Sequence, residues 1–348
     1  MGHRNSRTRE RGLAPGHRPQ DPDGCPAHGG RALPWPADRT SRSPRPLPGG
    51  GGPASEAWPT VTAAGTPTLD QVVAGAGELA SLPDSWQHID AVLAKPSSNN
   101  VQIADAIARD PGLTARLLRL ANSPMFGLSS RVERLSQAVH LIGTRQLREL
   151  ALAATVVDLI SAGPGKKARI QAFLHHSTAT GLFARAIAGR RRETDVERFF
   201  VAGLLHDLGL LVLETSAPEL LAEATRQAVH RNKPIEVGEK AVFGFDHAAV
   251  GAALMKRWRL PDALAEPVAW HHDPSSAPTH PVEAAAVHLG STAVDLIGLG
   301  GEGCIATPLD QRAWTLLGCE PADLPGMADQ VAANLAPMLD ILIGENPA

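Results

Sequence analysis

Residues 99–124 read NNVQIADAIARDPGLTARLLRLANSP and encode two amphipathic helices in direct succession. Asparagines cap the first helix, and Asp110 ends it because the residue before a proline disfavours helical backbone. The second helix follows at once and stops before Pro124. Apolar residues three and four positions apart define one inward face on each helix. The predicted inward residues are Val101, Ile103, Ala104 and Ile107, and then Leu113, Leu117 and Leu120.

The same alternation of short helices and tight turns extends through the sequence in both directions. Nothing between these helices resembles a run of strands, so the pattern predicts an all-α fold. Helices are predicted at 68–82, 85–94, 100–110, 112–122, 134–143 and 144–163, and then at about 168–189, 195–211, 217–231, 236–240, 246–257, 261–271, 281–298, 309–318 and 323–343, with a Gly-rich loop after Ile297.

Two of these helices, joined at Gly143, suggest a DNA-binding helix-turn-helix. The second of them is apolar over most of its circumference, which suits a helix of the core better than one that reads a DNA groove. Nucleic-acid binding is therefore a minor alternative.

Composition narrows the class of protein. The chain has 348 residues, of which 43% are hydrophobic and 4% aromatic, with no Tyr, so Leu, Ala, Val and Ile must build the core. Its net charge of −3 does not favour nucleic acid or a membrane surface. Three well-separated cysteines give no disulfide framework. No apolar run reaches the roughly 18 residues that cross a bilayer. We expect a cytoplasmic protein.

Residues 1–66 differ from the rest of the chain. The first 50 residues hold nine Arg against four acidic residues, with nine Pro and eight Gly. Such a segment buries too little apolar surface to offset its ordering entropy, which predicts a disordered tail. An Arg-rich binding arm, a solvated tail and an upstream extension from a misassigned start codon all remain open.

Histidines recur beside apolar helical faces in the second half of the chain. A single His is more often a hydrogen-bonded structural residue than a ligand. Several of them, together with one Asp, could instead meet in a helical bundle and hold Zn, Mn or Fe. The positions concerned are His175, His176, His206, Asp207, His247, His271, His272 and His288.

The order of these motifs resembles the HDOD family, the HD-related output domains of bacterial signalling proteins. The resemblance covers Leu79 to Leu299 and rests on four stretches: LPDSWQHIDAVLAKPSSNNVQIADAIARDPGLTARLLRLANSPMFG, FLHHSTATGLFARAIA, GLLHDLG and FDHAAVGAALMKRWRLPDALAEPVAWHH. It implies an HDOD domain over 67–345, with an N-terminal helical lobe at 68–165, an HD-like lobe at 166–299 and C-terminal packing helices at 300–345.

The resemblance also implies a metal site, although an incomplete one. Active HD phosphohydrolases hold one metal with a His, a His-Asp pair and a final Asp, and two-metal members add three His. These positions are matched by His176, His206 and Asp207, and by His247, His271 and His272. The final Asp of the family is Ser291 here, and the frequent phosphate-binding Lys is Leu210. Asp295 lies one turn further on, about 5.4 Å along the axis. The Gly-Tyr-Pro signature of cyclic-dinucleotide phosphodiesterases is missing.

From these matches and gaps we expect a non-catalytic output or scaffold module that acts through contacts with other signalling proteins. The degenerate site would hold a divalent metal (Fe, Mn, Zn or Mg) or none, and no residue is assigned a catalytic role. The alternative is a metal-dependent phosphohydrolase or phosphodiesterase of the HD superfamily.

Overall fold

The computed structural model describes residues 66–163, 167–298 and 307–344, and within these ranges it contains helices and no strand. The first group of helices is α1 (Leu69–Ala74), α2 (Asp84–Leu93), α3 (Asn100–Ala108), α4 (Pro111–Ala121), α5 (Leu135–Ile142) and α6 (Thr144–Ala162). The second group is α7 (Lys167–Arg190), α8 (Val196–Leu205), α9 (Leu208–Ser216), α10 (Pro218–His230), α11 (Ile235–Phe243), α12 (His247–Arg257), α13 (Asp262–Trp270), α14 (Pro281–Leu296), α15 (Gln311–Leu317) and α16 (Leu324–Ile343).

The capped pair α3 and α4 forms as the sequence predicts. The Asn99 side chain accepts from two backbone N–H groups at the start of α3, and Asp110 Oδ1 accepts from Leu113 N at 2.9 Å at the start of α4. The inward assignment is wrong at Val101, whose side chain is 60% exposed. Val101 lies two residues before the buried Ile103, about 200° around the helix, and therefore faces the opposite side.

The helix predicted over 68–82 is also shorter than expected. Thr68 caps α1 as its position suggests, but α1 ends at Ala74, and a 3-10 turn occupies Gly77–Ala80. Gly77 has φ +59°, a left-handed conformation that interrupts any helix.

The largest correction concerns the predicted helix 195–211. It breaks at His206-Asp207, where α8 ends and α9 begins, and the Leu210 N–H bonds to the Asp207 carbonyl at 2.9 Å in a tight turn. The apolar pattern runs through the break because both helices are buried. The turn directs both polar side chains into one site.

Close contact between α9 and α12 holds this turn in place. Gly209 packs so tightly that an added Cβ would clash with the His247 carbonyl oxygen and approach Gly251 N to 2.8 Å. We expect Gly209→Ala to lower the free energy of unfolding by about 3 kcal/mol, through overpacking against rigid backbone. Urea denaturation measures this loss. Gly189→Ala is the control, because its Cβ meets nothing within 4 Å and it should raise stability by about 0.5 kcal/mol. Equal effects of both changes would contradict the packing argument.

The buried side chains form one continuous core that runs from α1 to α16. Much of α6 lies in it, including the fully buried Leu147, Leu150 and Val156, which favours the core interpretation over a DNA-reading helix.

The predicted division into an N-terminal lobe (68–165), an HD-like lobe (166–299) and C-terminal helices (300–345) stays a prediction. Residues 1–65, which carry nearly all of the predicted tail, and 299–306 of the Gly-rich loop lie outside the described residues. In the described part of the chain, no helix has both the length and the apolar character needed to cross a membrane.

Candidate metal centre

Five helices bring the six predicted ligand residues to one place. His176 lies in the middle of α7, and His206 and Asp207 occupy the turn between α8 and α9. His247 is the first residue of α12, and His271 and His272 follow the last residue of α13. Two triads could each hold one metal ion: His176, His206 and Asp207, and His247, His271 and His272.

Asp207 joins the two triads. Its Oδ1 lies 3.2 Å from His206 Nε2, 3.3 Å from His247 Nε2 and 3.6 Å from His271 Nε2. Its Oδ2 lies 3.5 Å from His176 Nε2. One carboxylate therefore contacts imidazoles of both triads, the arrangement expected of a ligand shared between two cations.

Hydrogen bonds on the outer side of the rings fix which nitrogen faces the centre. His206 Nδ1 donates to the Gly203 carbonyl at 2.7 Å, and His271 Nδ1 donates to the Val268 carbonyl at 2.8 Å. Because a carbonyl oxygen only accepts, the proton of each neutral ring is on Nδ1 and the Nε2 lone pair points inward. His-metal sites use this same orientation.

The inward nitrogens crowd together in a way that requires a proton or a metal ion between them. His176 Nε2 lies 3.4 Å from His206 Nε2, and His247 Nε2 lies 3.4 Å from His271 Nε2 and 2.8 Å from His272 Nε2. Lone pairs at such distances repel each other unless a proton or a metal ion lies between them. The donor set and its orientation therefore fit divalent cations.

The pKa values in the cluster agree with this picture. Burial lowers the pKa of His176 to about 4 and that of His271 to about 3, so both rings are neutral at physiological pH, the form that metals bind. Burial opposes a charge on His247 too, but the carboxylates of Glu239 and Asp207 raise its pKa well above the usual range. Burial would raise the pKa of Asp207, yet His206 and His247 hold it well below the usual range.

Sequence reasoning missed the carboxylates that support the histidines. Glu239 of α11 is fully buried, and its Oε2 accepts from His247 Nδ1 at 2.7 Å and from His247 N at 2.8 Å. The Thr307 hydroxyl lies 3.2 Å from both His272 Nδ1 and Glu236 Oε1. No local pattern distinguishes Glu239 from a solvated helical Glu, since its partner lies on the next helix.

We expect Glu239→Gln to weaken metal binding at the His247 triad by about 10- to 100-fold, because a neutral amide orients and polarises the imidazole less strongly. Competition with a chelator measures the affinity. Glu266→Gln is the matched control: Glu266 Oε2 likewise accepts two hydrogen bonds, both from backbone N–H groups, at 2.9 and 2.8 Å, and it contacts none of the six ligands. An equal loss in both variants would rule out this role for Glu239.

A cavity of about 540 Å³ opens over the centre. His176, Asp207, His247 and His272 border it, together with Ser291 and Leu210, the two residues that replace the family's Asp and Lys. Ala172, Phe173, Leu211 and Ile235 add an apolar wall, and Arg169 and Glu214 border its outer part. Arg169 was not among the site residues that the sequence predicted.

Asp295 lies closer than the sequence suggests. Its Oδ1 is 3.5 Å from His176 Nδ1, on the outer side of that ring, and it borders the cavity. Burial and the charge of Asp207 raise the pKa of Asp295 to about 7. Asp295 can therefore orient His176, but it does not stand where Ser291 has replaced a ligand.

His288, another of the histidines singled out above, has a structural role. Its Nδ1 donates to the His271 carbonyl at 2.7 Å, and its Nε2 accepts from Asp310 N at 3.0 Å. Both ring nitrogens are used by backbone, so His288 holds the His271 turn.

Comparison with known proteins identifies the family of this chain. The sequence model of the HDOD domain matches residues 79–274, more than half of the chain. An uncharacterized protein of Treponema pallidum (strain Nichols) is 28% identical over 202 residues, which are 58% of this chain and 39% of that protein. This chain therefore spans about two fifths of the length of the curated relative it matches.

Solved structures share the fold. An HDOD domain protein with unknown function from Geobacter sulfurreducens aligns with a TM-score of 0.60 and 24% identity, over 78% of this chain and 98% of its own. A candidate phosphohydrolase from Shewanella amazonensis SB2B aligns with a TM-score of 0.61 and 24% identity, over 79% and 97% of the two chains. At this identity the likeness shows the fold alone.

Proposed function

Because this chain belongs to the HDOD domain family, we propose that it is a signal-transduction output or scaffold module that acts through protein–protein contacts. In this proposal its HD-type centre binds divalent metal ions without turning over phosphate esters. A bound metal would hold α7, α8, α9, α12 and α13 together around the cavity.

The metal-binding part of the proposal is supported by the convergence of the six ligand residues. His176, His206 and Asp207 would hold one ion, and His247, His271 and His272 the other, with Asp207 between them. A set of five imidazoles and one carboxylate suits Fe, Mn or Zn better than Mg, which prefers oxygen ligands. In a competent HD enzyme such ions acidify a bound water.

The proposed absence of turnover rests on one observation: Ser291 and Leu210 border the cavity. A neutral Ser hydroxyl at the position of the family's Asp leaves the first ion without one of its anionic ligands. An apolar Leu at the position of the family's Lys leaves a bound phosphate without that cation. The centre keeps its histidines but lacks two groups that the reaction uses.

A phosphodiesterase assay tests this part directly. The full chain, loaded with Mn²⁺ or Fe²⁺, is incubated with bis(4-nitrophenyl) phosphate, and release of nitrophenolate is followed. We expect a rate equal to that of Asp207→Ala, which serves as the blank. Turnover that requires metal and disappears in Asp207→Ala would overturn the non-catalytic proposal.

Such turnover would favour the second candidate function, a metal-dependent phosphohydrolase or phosphodiesterase. One specific observation supports that candidate: six ligand residues that match those of the two-metal members of the HD superfamily are present, and they converge. The same assay therefore decides between the two functions.

A further inference from the structure

Among the residues that the structure describes, one cationic side chain borders the cavity, and it lies on the same helix as a candidate metal ligand. Arg169 precedes His176 by seven residues on α7, which is two helical turns, so the two residues share a face. Ala172 and Phe173 lie between them on that face, and all four residues border the cavity. Arg169 is thus about 10 Å along the helix axis from His176.

Arg169 is held by a partner that it can leave. Its guanidinium pairs with Glu214 of α9, and the Arg169 side chain is 66% exposed. Exposed ion pairs contribute little to stability. A guanidinium binds a phosphate group through two parallel charge-assisted hydrogen bonds. An anion that enters the cavity can therefore take Arg169 from Glu214 at small cost.

The other residues that border the cavity indicate the character of the remaining, non-anionic part of such a ligand. Phe173, Leu210, Leu211 and Ile235 border the same cavity as Arg169 and the metal-ligand residues. Apolar side chains there favour a ligand with an apolar body over a highly hydrated one. The lining thus combines a site for an anionic group with an apolar surface.

A second cavity lies on the other side of the Arg169–Glu214 pair. It measures about 570 Å³, and Arg169, Leu211 and Glu214 border both cavities. Its other walls include Leu79 of the 3-10 turn, and Leu159 and Ile160 of α6. The ion pair is therefore the partition between the metal-ligand cavity and a groove lined by α6, and a movement of Arg169 alters both.

We propose that the cavity is the receptor site for a small phosphate monoester with an apolar body, that Arg169 leaves Glu214 to bind its phosphate, and that this exchange changes the groove beside α6. The inference rests on the proposed function, in which the centre binds metal without turnover. It adds the chemical class of the ligand. It also adds a way in which ligand binding in the cavity changes the groove beside α6, outside the metal centre.

The test uses phenylphosphonate, a phosphate-like anion with an apolar ring that cannot be hydrolysed. It is titrated calorimetrically into the Mn²⁺-loaded full chain. We expect binding that Arg169→Ala weakens by about tenfold or more, because the guanidinium contact is charge-assisted. Glu214→Gln should strengthen binding by about threefold, since a neutral partner competes less for Arg169. Inorganic phosphate should bind more weakly than the probe.

The control variant is Arg226→Ala. Arg226 is an exposed arginine that pairs with Glu223 on α10, and it is not among the residues that border either cavity. Its loss should leave the affinity unchanged. Hydrogen exchange gives the second readout: the probe should alter exchange at residues 77–80 and 159–163 in the wild-type chain and not in Arg169→Ala.

Metal uptake, measured first, separates the two proposals. Arg169→Ala should take up as much Mn²⁺ as the wild-type chain. Equal phenylphosphonate affinity in the wild type and Arg169→Ala, or no binding at all by the loaded protein, would overturn the receptor site. If the wild type takes up no metal, the proposed function fails. The same titration on the metal-free chain then decides the receptor site by its dependence on Arg169.

Discussion

The Asp207→Ala variant is expected to lose divalent-metal binding at both triads, with affinity lower by at least about 100-fold. Loss of an outer hydrogen-bond partner alone costs 10- to 100-fold in metal sites, and Asp207 is a candidate ligand itself. Asp207 is the one carboxylate among the six ligand residues, and it contacts four of the five imidazoles. Without it, two cations would face only neutral rings and would repel each other across the centre.

Two measurements check this expectation. Elemental analysis after gel filtration gives the metal bound per chain, and thermal unfolding with and without Mn²⁺ gives the stabilisation. At a free metal concentration of 100 times Kd, binding stabilises a protein by about 2.7 kcal/mol. The wild-type chain should show such a gain and Asp207→Ala should not.

Asp295→Asn is the control for charge alone. Asp295 also borders the cavity, but it approaches His176 from the outer Nδ1 side. Because Asp295 approaches only the outer side of the His176 ring, we expect this variant to lose less affinity than Asp207→Ala, and only at the triad of His176. Equal loss of metal in the two variants would show that the net negative charge of the cavity, rather than the bridging position of Asp207, holds the cations.

Local sequence signals account for most of the fold. The Asn99 and Asp110 caps, with apolar residues three and four positions apart, were sufficient to place α3 and α4, because each signal acts within one or two turns. The break at His206-Asp207 was not predictable in this way. The apolar pattern continues across it, and the turn forms because packing of α9 on α12 and the contacts of Asp207 favour it.

The same contrast between sequence signals and tertiary packing separates the site residues that could be predicted from those that could not. The six ligand residues could be identified through the family resemblance, since their order along the chain is characteristic. Glu239 could not, because what makes it a partner of His247 is the packing of α11 beside the start of α12. Arg169 had a usable signal, its spacing of seven residues from His176, which places the two on one helical face.

A buried carboxyl pair outside the metal centre gives the other large expected effect. Glu149 of α6 and Asp195, just before α8, are 9% and 3% exposed. Burial, and then the charge and hydrogen bond of Asp195, raise the pKa of Glu149 to about 9. Arg145 and Arg198 oppose this shift only in part. Both arginines approach Asp195 Oδ2, at 2.6 and 3.6 Å, and Arg198 also pairs with Glu283 at 2.6 Å.

Because the pKa of Glu149 is raised on folding, the free energy of unfolding depends on pH, and the direction of this dependence is defined. In the unfolded chain Glu149 loses its proton near its ordinary value of 4.5, whereas in the folded chain it keeps the proton up to about pH 9. Between these values the folded state binds one more proton, so the free energy of unfolding falls as pH rises. The contribution of Glu149 is fully present below pH 4.5 and is lost by about pH 9.

Glu149→Gln removes this dependence, because the amide keeps the shape of the protonated carboxyl and has no proton to lose. We expect the variant to match the wild type within about 1 kcal/mol at pH 5 and to exceed its stability by about 5 kcal/mol at pH 8.5, since each pKa unit corresponds to about 1.4 kcal/mol. Urea denaturation at both pH values measures the difference, with Glu219→Gln on exposed α10 surface as control. A stability difference that is the same at both pH values would mean that Glu149 is already ionised in the folded chain. The buried partner of Asp195 would then be a carboxylate balanced by Arg145 and Arg198 rather than a neutral acid.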